Sequence, residues 1–142
     1  MTPSALVIVD VSRVVAEKRG EVKAAFHELA AFVEANEPDT IAYQVHVDER
    51  AGEVTVIQVH PHSASAELHM RLAAPRFAPF AELLTLLRID VYGTPSEALL
   101  GQLRRKASLL GGAALSVHPL HAGFARPPAG EAAGEAAATI ER

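Results

Sequence analysis

Four of the seven histidines in this 142-residue sequence fall between Thr40 and Leu72: His46, His60, His62 and His69. Imidazole titrates near pH 6.5, so each is a candidate general base at working pH, and each is a candidate metal ligand. His60-Pro61-His62 places two imidazoles on about the same side if the chain stays extended, and His46 or His69 could supply a third ligand. A lone His-x-His is a weak metal signature, however. No carboxylate pattern accompanies it and Pro61 marks a strand end, so no metal ligand is assigned. The sequence has no cysteine, which removes thiol catalysis, disulfides and Cys-ligated zinc or iron–sulfur sites.

The elements that must position these side chains follow from periodicity. Ile41, Tyr43, Val45 and Val47 alternate with Ala42, Gln44, His46 and Asp48; after Ala51-Gly52, Val54, Val56, Gln58 and His60 alternate with Thr55, Ile57 and Val59. Period-two alternation across a short Gly-containing link predicts a β-hairpin. Which faces coincide is left open, because a one-residue change of register exchanges them. Ser63 is the expected start of a helix through Leu72 that carries His69, and Pro75 interrupts it.

Around this hairpin the chain supplies cover. Ala5 to Val11 is a short apolar run with the character of a central strand. From about Glu17 to Asn36 the spacing of Val22, Phe26, Leu29 and Val33 predicts a helix, ended by Glu37-Pro38. Phe77, Phe80, Leu84 and Leu87 repeat a helical stripe, and Arg88 to Tyr92 reads as a fourth strand closed by Gly93. Thr94-Pro95-Ser96-Glu97 has the form of a capping box, with Thr94 as the N-cap of a helix running to Gly111-Gly112. Arg104, Arg105 and Lys106 lie late in that helix, where cations favour the helix dipole, and read as a solvated face. Ala114 to Leu120 is the expected last strand.

The order strand–helix–strand–strand–helix–strand is that of a ferredoxin-like α+β fold, an antiparallel sheet with helices on one face, here followed by a C-terminal helix–strand extension. Residues 1–126 make one domain and 127–142, rich in Ala, Gly and Glu, a flexible tail. The apolar alternation leaves the sheet's second face in need of cover, for which a homodimer is the economical solution. A net charge of −4 argues against a phosphate-backbone binder, so no nucleic-acid partner is expected. No run long enough to cross a membrane and no leader-like N-terminus is seen, which together read as a cytoplasmic protein with no membrane partner.

Asn36 to Tyr43, Val56 to His60, Ser63 to His69 and Phe77 together resemble the antibiotic-biosynthesis monooxygenase family, which includes small quinol monooxygenases. Val91 to Leu100 and Val117 to Arg126 resemble a longer subgroup of it. The resemblance implies a dimeric α/β barrel with a pocket between sheet and helices, and a cofactor-independent oxidation of a hydroquinone or polyphenol-type small molecule. It makes His69, which matches a frequent helix histidine, the first choice of catalytic base and His60 the second, with Tyr43, Gln58 and Tyr92 orienting a substrate hydroxyl. Cofactor-free oxygenation needs such a base, since the deprotonated, electron-rich substrate must itself reduce oxygen. The sequence departs from the family pattern at Gln58, His60 and His62, where an acid and an aromatic residue are common, and it contains no Trp. The alternative of another class is a non-catalytic small-molecule-binding or accessory dimer of the same fold.

Overall fold

The computed structural model describes residues 5–126; the tail expected at 127–142 lies outside the described residues. Strand β1 (Leu6–Val14) is the centre of a five-stranded sheet in the order β2-β3-β1-β4-β5, with β2 at Ala42–Asp48, β3 at Glu53–His60, β4 at Leu84–Tyr92 and β5 at Ala114–His118. The first four strands pair antiparallel, and β5 adds to β4 in parallel. A parallel neighbour needs a crossover, and helix α3 (Glu97–Leu109) supplies it.

Register settles the question left open by alternation. Leu6 faces His60, Ile8 faces Gln58 and Asp10 faces Val56, while Tyr43 faces Gln58 and Val45 faces Val56. These residues therefore share one side of the sheet. Helices α1 (Arg19–Asn36), α2 (Ser63–Ala73) and α3 cover that side, and Val22, Phe26, Leu29, Met70, Leu99 and Leu103 form a single core with Leu6, Ile8, Ile89 and Val91. The hairpin turn is held by Asp48, whose carboxylate accepts the Ala51 N–H at 2.9 Å, and Gly52 takes the left-handed conformation (φ 68°) that the turn requires.

Three expectations are corrected. Helix α1 starts at Arg19 rather than Glu17, after a 3-10 turn at Ala16–Lys18. The stretch from Phe77 to Leu87 is not a helix: 3-10 turns at Ala74–Arg76 and Ala78–Glu82, each with a proline in its first turn, lead into β4 at Leu84. Phe77 and Phe80 belong to the 3-10 turns, and a β-bulge brings Leu87 into the pattern. Val11 pairs with Arg88 and Ser12 with Leu86, so Leu87 is the extra residue and buried positions slip from Leu84 and Leu86 to Ile89 and Val91. The cap of α3 is Ser96, not Thr94. Its hydroxyl oxygen accepts the Leu99 N–H at 3.1 Å, its own N–H donates to Ser63 Oγ at 3.0 Å, and its hydroxyl donates to Glu67 Oε2 at 2.8 Å. These bonds to α2 fix where α3 can start.

On the other side of the sheet Val7, Val9, Ile57 and Val59 are half-buried, and Val7 lines a cavity with Leu120 and Phe124 of the segment after β5. Among the described residues no helix is long and apolar enough to cross a membrane.

Candidate functional site

The helix-covered side of the sheet carries four buried polar residues among its apolar ones: Asp10 and Ser12 on β1, Gln58 and His60 on β3. Burying such groups is costly unless each finds a partner. Helix α2 provides one, Ser65. His62 caps it by accepting the Ser65 N–H at 3.2 Å, and the helical repeat then turns both Ser65 and His69 inward. His60 Nδ1 lies 2.8 Å from Ser65 Oγ and Nε2 lies 3.0 Å from Gln58 Oε1. With the amide oxygen facing it, Nε2 carries the proton, and Nδ1 accepts the serine hydroxyl. His60 is 0% exposed. Desolvation, followed by the charges of His69 and His62, pushes its pKa down to about 3, so the ring is neutral at working pH.

His69, 1% exposed, is held by a residue 32 positions earlier. Its Nδ1–H donates to the Glu37 carboxylate, 2.8 Å from Oε1 and 3.0 Å from Oε2. Glu37 ends α1, its N–H bonded to Val33 O, and Thr40 Oγ1 donates to the same carboxylate at 3.2 Å. A carboxylate on Nδ1 fixes the ring's tautomer and orientation and leaves Nε2 as the nitrogen for acid–base work; among the described residues Nε2 has no hydrogen-bond partner. The rings of Tyr43 and His60 stand 5.5 Å and 5.9 Å from that of His69, centroid to centroid. Burial first, then the negative charges of Asp10 and Glu37, hold the Tyr43 phenol well above its ordinary pKa, so it remains a hydrogen-bond donor.

A second buried pair lies near Tyr43. Lys106 Nζ is 2.5 Å from Asp10 Oδ2 and 4.9 Å from the centre of the Phe77 ring. The Lys106 side chain is 9% exposed, which corrects the reading of the basic run as a solvated face; that reading holds for Arg104 and Arg105 alone. Asp10 Oδ1 is buried without a partner among the described residues. Beside the pair a cavity of about 30 Å³ is lined by Asp10, Ser12, Tyr43, Lys106 and aromatic and aliphatic side chains including Phe26 and Phe80. It has room for a water molecule or two but not for an aromatic ring. A larger groove of about 390 Å³ runs along the end of α1 and the start of β2, lined by Val33, Glu34, Glu37, Thr40, Ile41 and Tyr43 among others. That volume lies in the range of small-molecule sites. Glu37 and Tyr43, which line it, are the neighbours of His69.

Of the residues singled out from sequence, the structure brings His60, His69, Tyr43 and Gln58 together. Tyr92 is elsewhere: it pairs with Val7 on the opposite side of the sheet, is 45% exposed, and stacks on His118 at 4.6 Å. His46 is exposed and His62 is occupied with its own helix. Among the described residues no group of three or more His, Asp or Glu is placed to hold a metal ion. Sequence reasoning missed Glu37, Ser65, Asp10 and Lys106. Asp10, an acid inside an apolar strand, was the one visible signal among them.

No family model and no curated protein matches the sequence. Solved structures do match, and they carry the ferredoxin-like α+β fold of antibiotic biosynthesis monooxygenases. MupZ from Pseudomonas fluorescens superposes with a TM-score of 0.64 at 17% identity, over 87% of this chain and 96% of that one. A variant of SnoaB, a cofactor-independent oxygenase from Streptomyces nogalater, does so with a TM-score of 0.54 at 14% identity, over 66% and 95%. A candidate antibiotic biosynthesis monooxygenase from Chloroflexus aurantiacus gives 0.53 at 17% identity, over 62% and 90%. At such identities the likeness is one of fold.

Proposed function

We propose that this chain is a cofactor-independent monooxygenase that oxidises a hydroquinone or polyphenol-type small molecule bound in the groove between α1 and β2. The observation that carries this reading is the buried Glu37–His69 pair beside a groove that Glu37 and Tyr43 line. In the proposed reaction His69 Nε2 takes the proton of a substrate hydroxyl, and the resulting anion reduces oxygen with its own electrons. One oxygen atom enters the product and the other leaves as water. His69 rather than His60 is the base, because both nitrogens of His60 are engaged and its depressed pKa makes it a poor proton acceptor. Gln58, His60 and Ser65 hold the inner wall, and Tyr92 takes no part.

The working unit is proposed to be a homodimer packed through the open face that carries Val7, Val9, Ile57 and Val59, since a half-buried apolar sheet face in water favours a second layer. The other reading, a non-catalytic binding dimer, is favoured by the small size of the cavity between sheet and helices. Oxygen uptake with a panel of hydroquinones and naphthol-type polyphenols separates the two. Catalysis predicts turnover that drops about 10²–10⁴-fold in His69→Ala, the usual worth of a positioned base. Turnover untouched by that change removes His69 from the mechanism, and tight binding without oxygen uptake selects the binding dimer.

A further inference from the structure

The proposed base and the groove that would hold its substrate do not meet. His69 is 1% exposed, and the walls of the 390 Å³ groove include its neighbours Glu37 and Tyr43 but not His69 itself. One of those two side chains must give way before a bound molecule reaches the imidazole. Glu37 is fixed, since its carboxylate takes bonds from His69 and Thr40 and its N–H is bonded to Val33 O. Tyr43 is not. It is only partly buried, and among the described residues its hydroxyl makes no hydrogen bond. Tyr43 also lines the small inner cavity beside Asp10 and Lys106, and it is the one residue which that cavity and the groove share.

We propose that Tyr43 is the gate of this site: its side chain swings into the groove and so opens the groove onto His69. Three features allow the movement. β2 is an edge strand, so among the described residues no strand flanks Tyr43 on its outer side. The groove has the volume of a small-molecule site, enough to receive a phenol ring, and much of its wall is made of small side chains, Ala30, Ala31 and Ala42. Two χ1 rotamers are common for residues in strands, so a change of rotamer carries the ring across without backbone strain. The ring vacates a position 5.5 Å from the ring of His69, and the groove then joins the inner cavity. Its hydroxyl travels with it into the groove, where it can donate to a bound molecule. With the gate closed, the Glu37–His69 pair is kept from water. The purpose of the gate rests on the reading of His69 as the base; its existence does not.

The test is labelling of the full chain with diethyl pyrocarbonate, which acylates a free neutral imidazole nitrogen, followed histidine by histidine with peptide mass spectrometry. A minor open state is populated at about 0.1–10%, so His69 of wild type is expected to label slowly, and Tyr43→Ala, which removes the ring, to label it at least about tenfold faster. Ala31→Trp fills the space that receives the ring and is expected to label His69 at least about threefold more slowly than wild type. Ala31 is exposed, so this variant should melt with wild type, and it carries the test if Tyr43→Ala does not fold. His60, 0% exposed and bonded at both ring nitrogens, should stay unlabelled in all three proteins. Equal labelling of His69 in wild type and Ala31→Trp, or no gain in a folded Tyr43→Ala, would overturn the proposal. So would labelling of His60 in step with His69, because the whole core would then be opening rather than one side chain. No turnover is read, so a failure to oxidise any hydroquinone would remove the oxygenase reading and leave this result standing.

Discussion

The titration of His60 sets a measurable acid limit on the fold. In the folded chain its pKa is about 3, whereas in an unfolded chain an imidazole titrates near 6.5. Between those values the unfolded state binds about one more proton than the folded state, so stability rises with pH at about 1.4 kcal/mol per unit. The contribution is fully present above pH 6.5 and is lost as the pH falls towards 3. From pH 6.5 to 5 the loss is roughly 2 kcal/mol, a large part of the roughly 5–15 kcal/mol typical of a whole domain. Glu49, whose carboxyl is held below its usual range by Lys23, loses its contribution only below about pH 4.5, so this window is clear of it. Urea unfolding at pH 7.5, 6.5, 5.5 and 5.0 reads the slope directly. His60→Gln is expected to be less stable at pH 7.5 by about 1–3 kcal/mol, through its lost bonds to Ser65 and Gln58. It should also lose the slope, so that the two curves converge in acid. A wild type flat between pH 6.5 and 5, or a variant with the same slope, would refute the burial of a neutral His60.

Two further predictions concern the buried pairs. On the proposed reading, Glu37→Gln should lower oxygen uptake by about 10²-fold or more, because an amide no longer fixes the tautomer of His69 as a carboxylate does; an undiminished rate would mean that Glu37 does not position the proposed base. Lys106→Met should cost about 3–5 kcal/mol in urea unfolding by leaving Asp10 buried and unpaired, and adding Asp10→Asn should recover much of it. A loss below about 1 kcal/mol, the worth of an exposed ion pair, would contradict the burial of Lys106.

The sheet was largely legible because β3 alternates without interruption, Val54, Val56, Gln58 and His60 inward and Thr55, Ile57 and Val59 outward. β4 was not, since one bulged residue, Leu87, shifts its period and imitates a helix. The candidate site was legible as residue types but not as pairs. His69 is singled out as a candidate base by the family resemblance. Its partner Glu37 is 32 positions away and looks only like a helix end, and Lys106 meets Asp10 across 96 positions. Such pairs are made by the packing of α1 on α2 and of α3 on the sheet, which local periodicity does not encode. The strand alternation that puts Gln58 and His60 on one side likewise leaves the side undetermined until β1 pairs with β3 and Leu6 is seen opposite His60.

Stability alone does not account for this polar arrangement. A buried ion pair replaced by apolar residues of similar size is often no less stable, and valine or leucine at Asp10, Gln58 and His60 would continue the core that Leu6, Ile8 and Val56 already form. Both pairs lie near Tyr43, whose phenol is held protonated first by its burial and then by their negative charges. Asp10 and Glu37 each press the Tyr43 phenol towards its protonated form, so Tyr43 can donate a hydrogen bond but cannot serve as a base. Glu37, already bonded by His69 and Thr40, directs the His69 proton to Nδ1 and leaves Nε2 as an acceptor. On the proposed reading these assignments are opposite in kind: a donor at Tyr43 to hold a substrate oxygen, and an acceptor at His69 to remove a proton. A hydroxyl bound beside Glu37 would then meet, at His69 Nε2, a ring nitrogen that has no hydrogen-bond partner among the described residues.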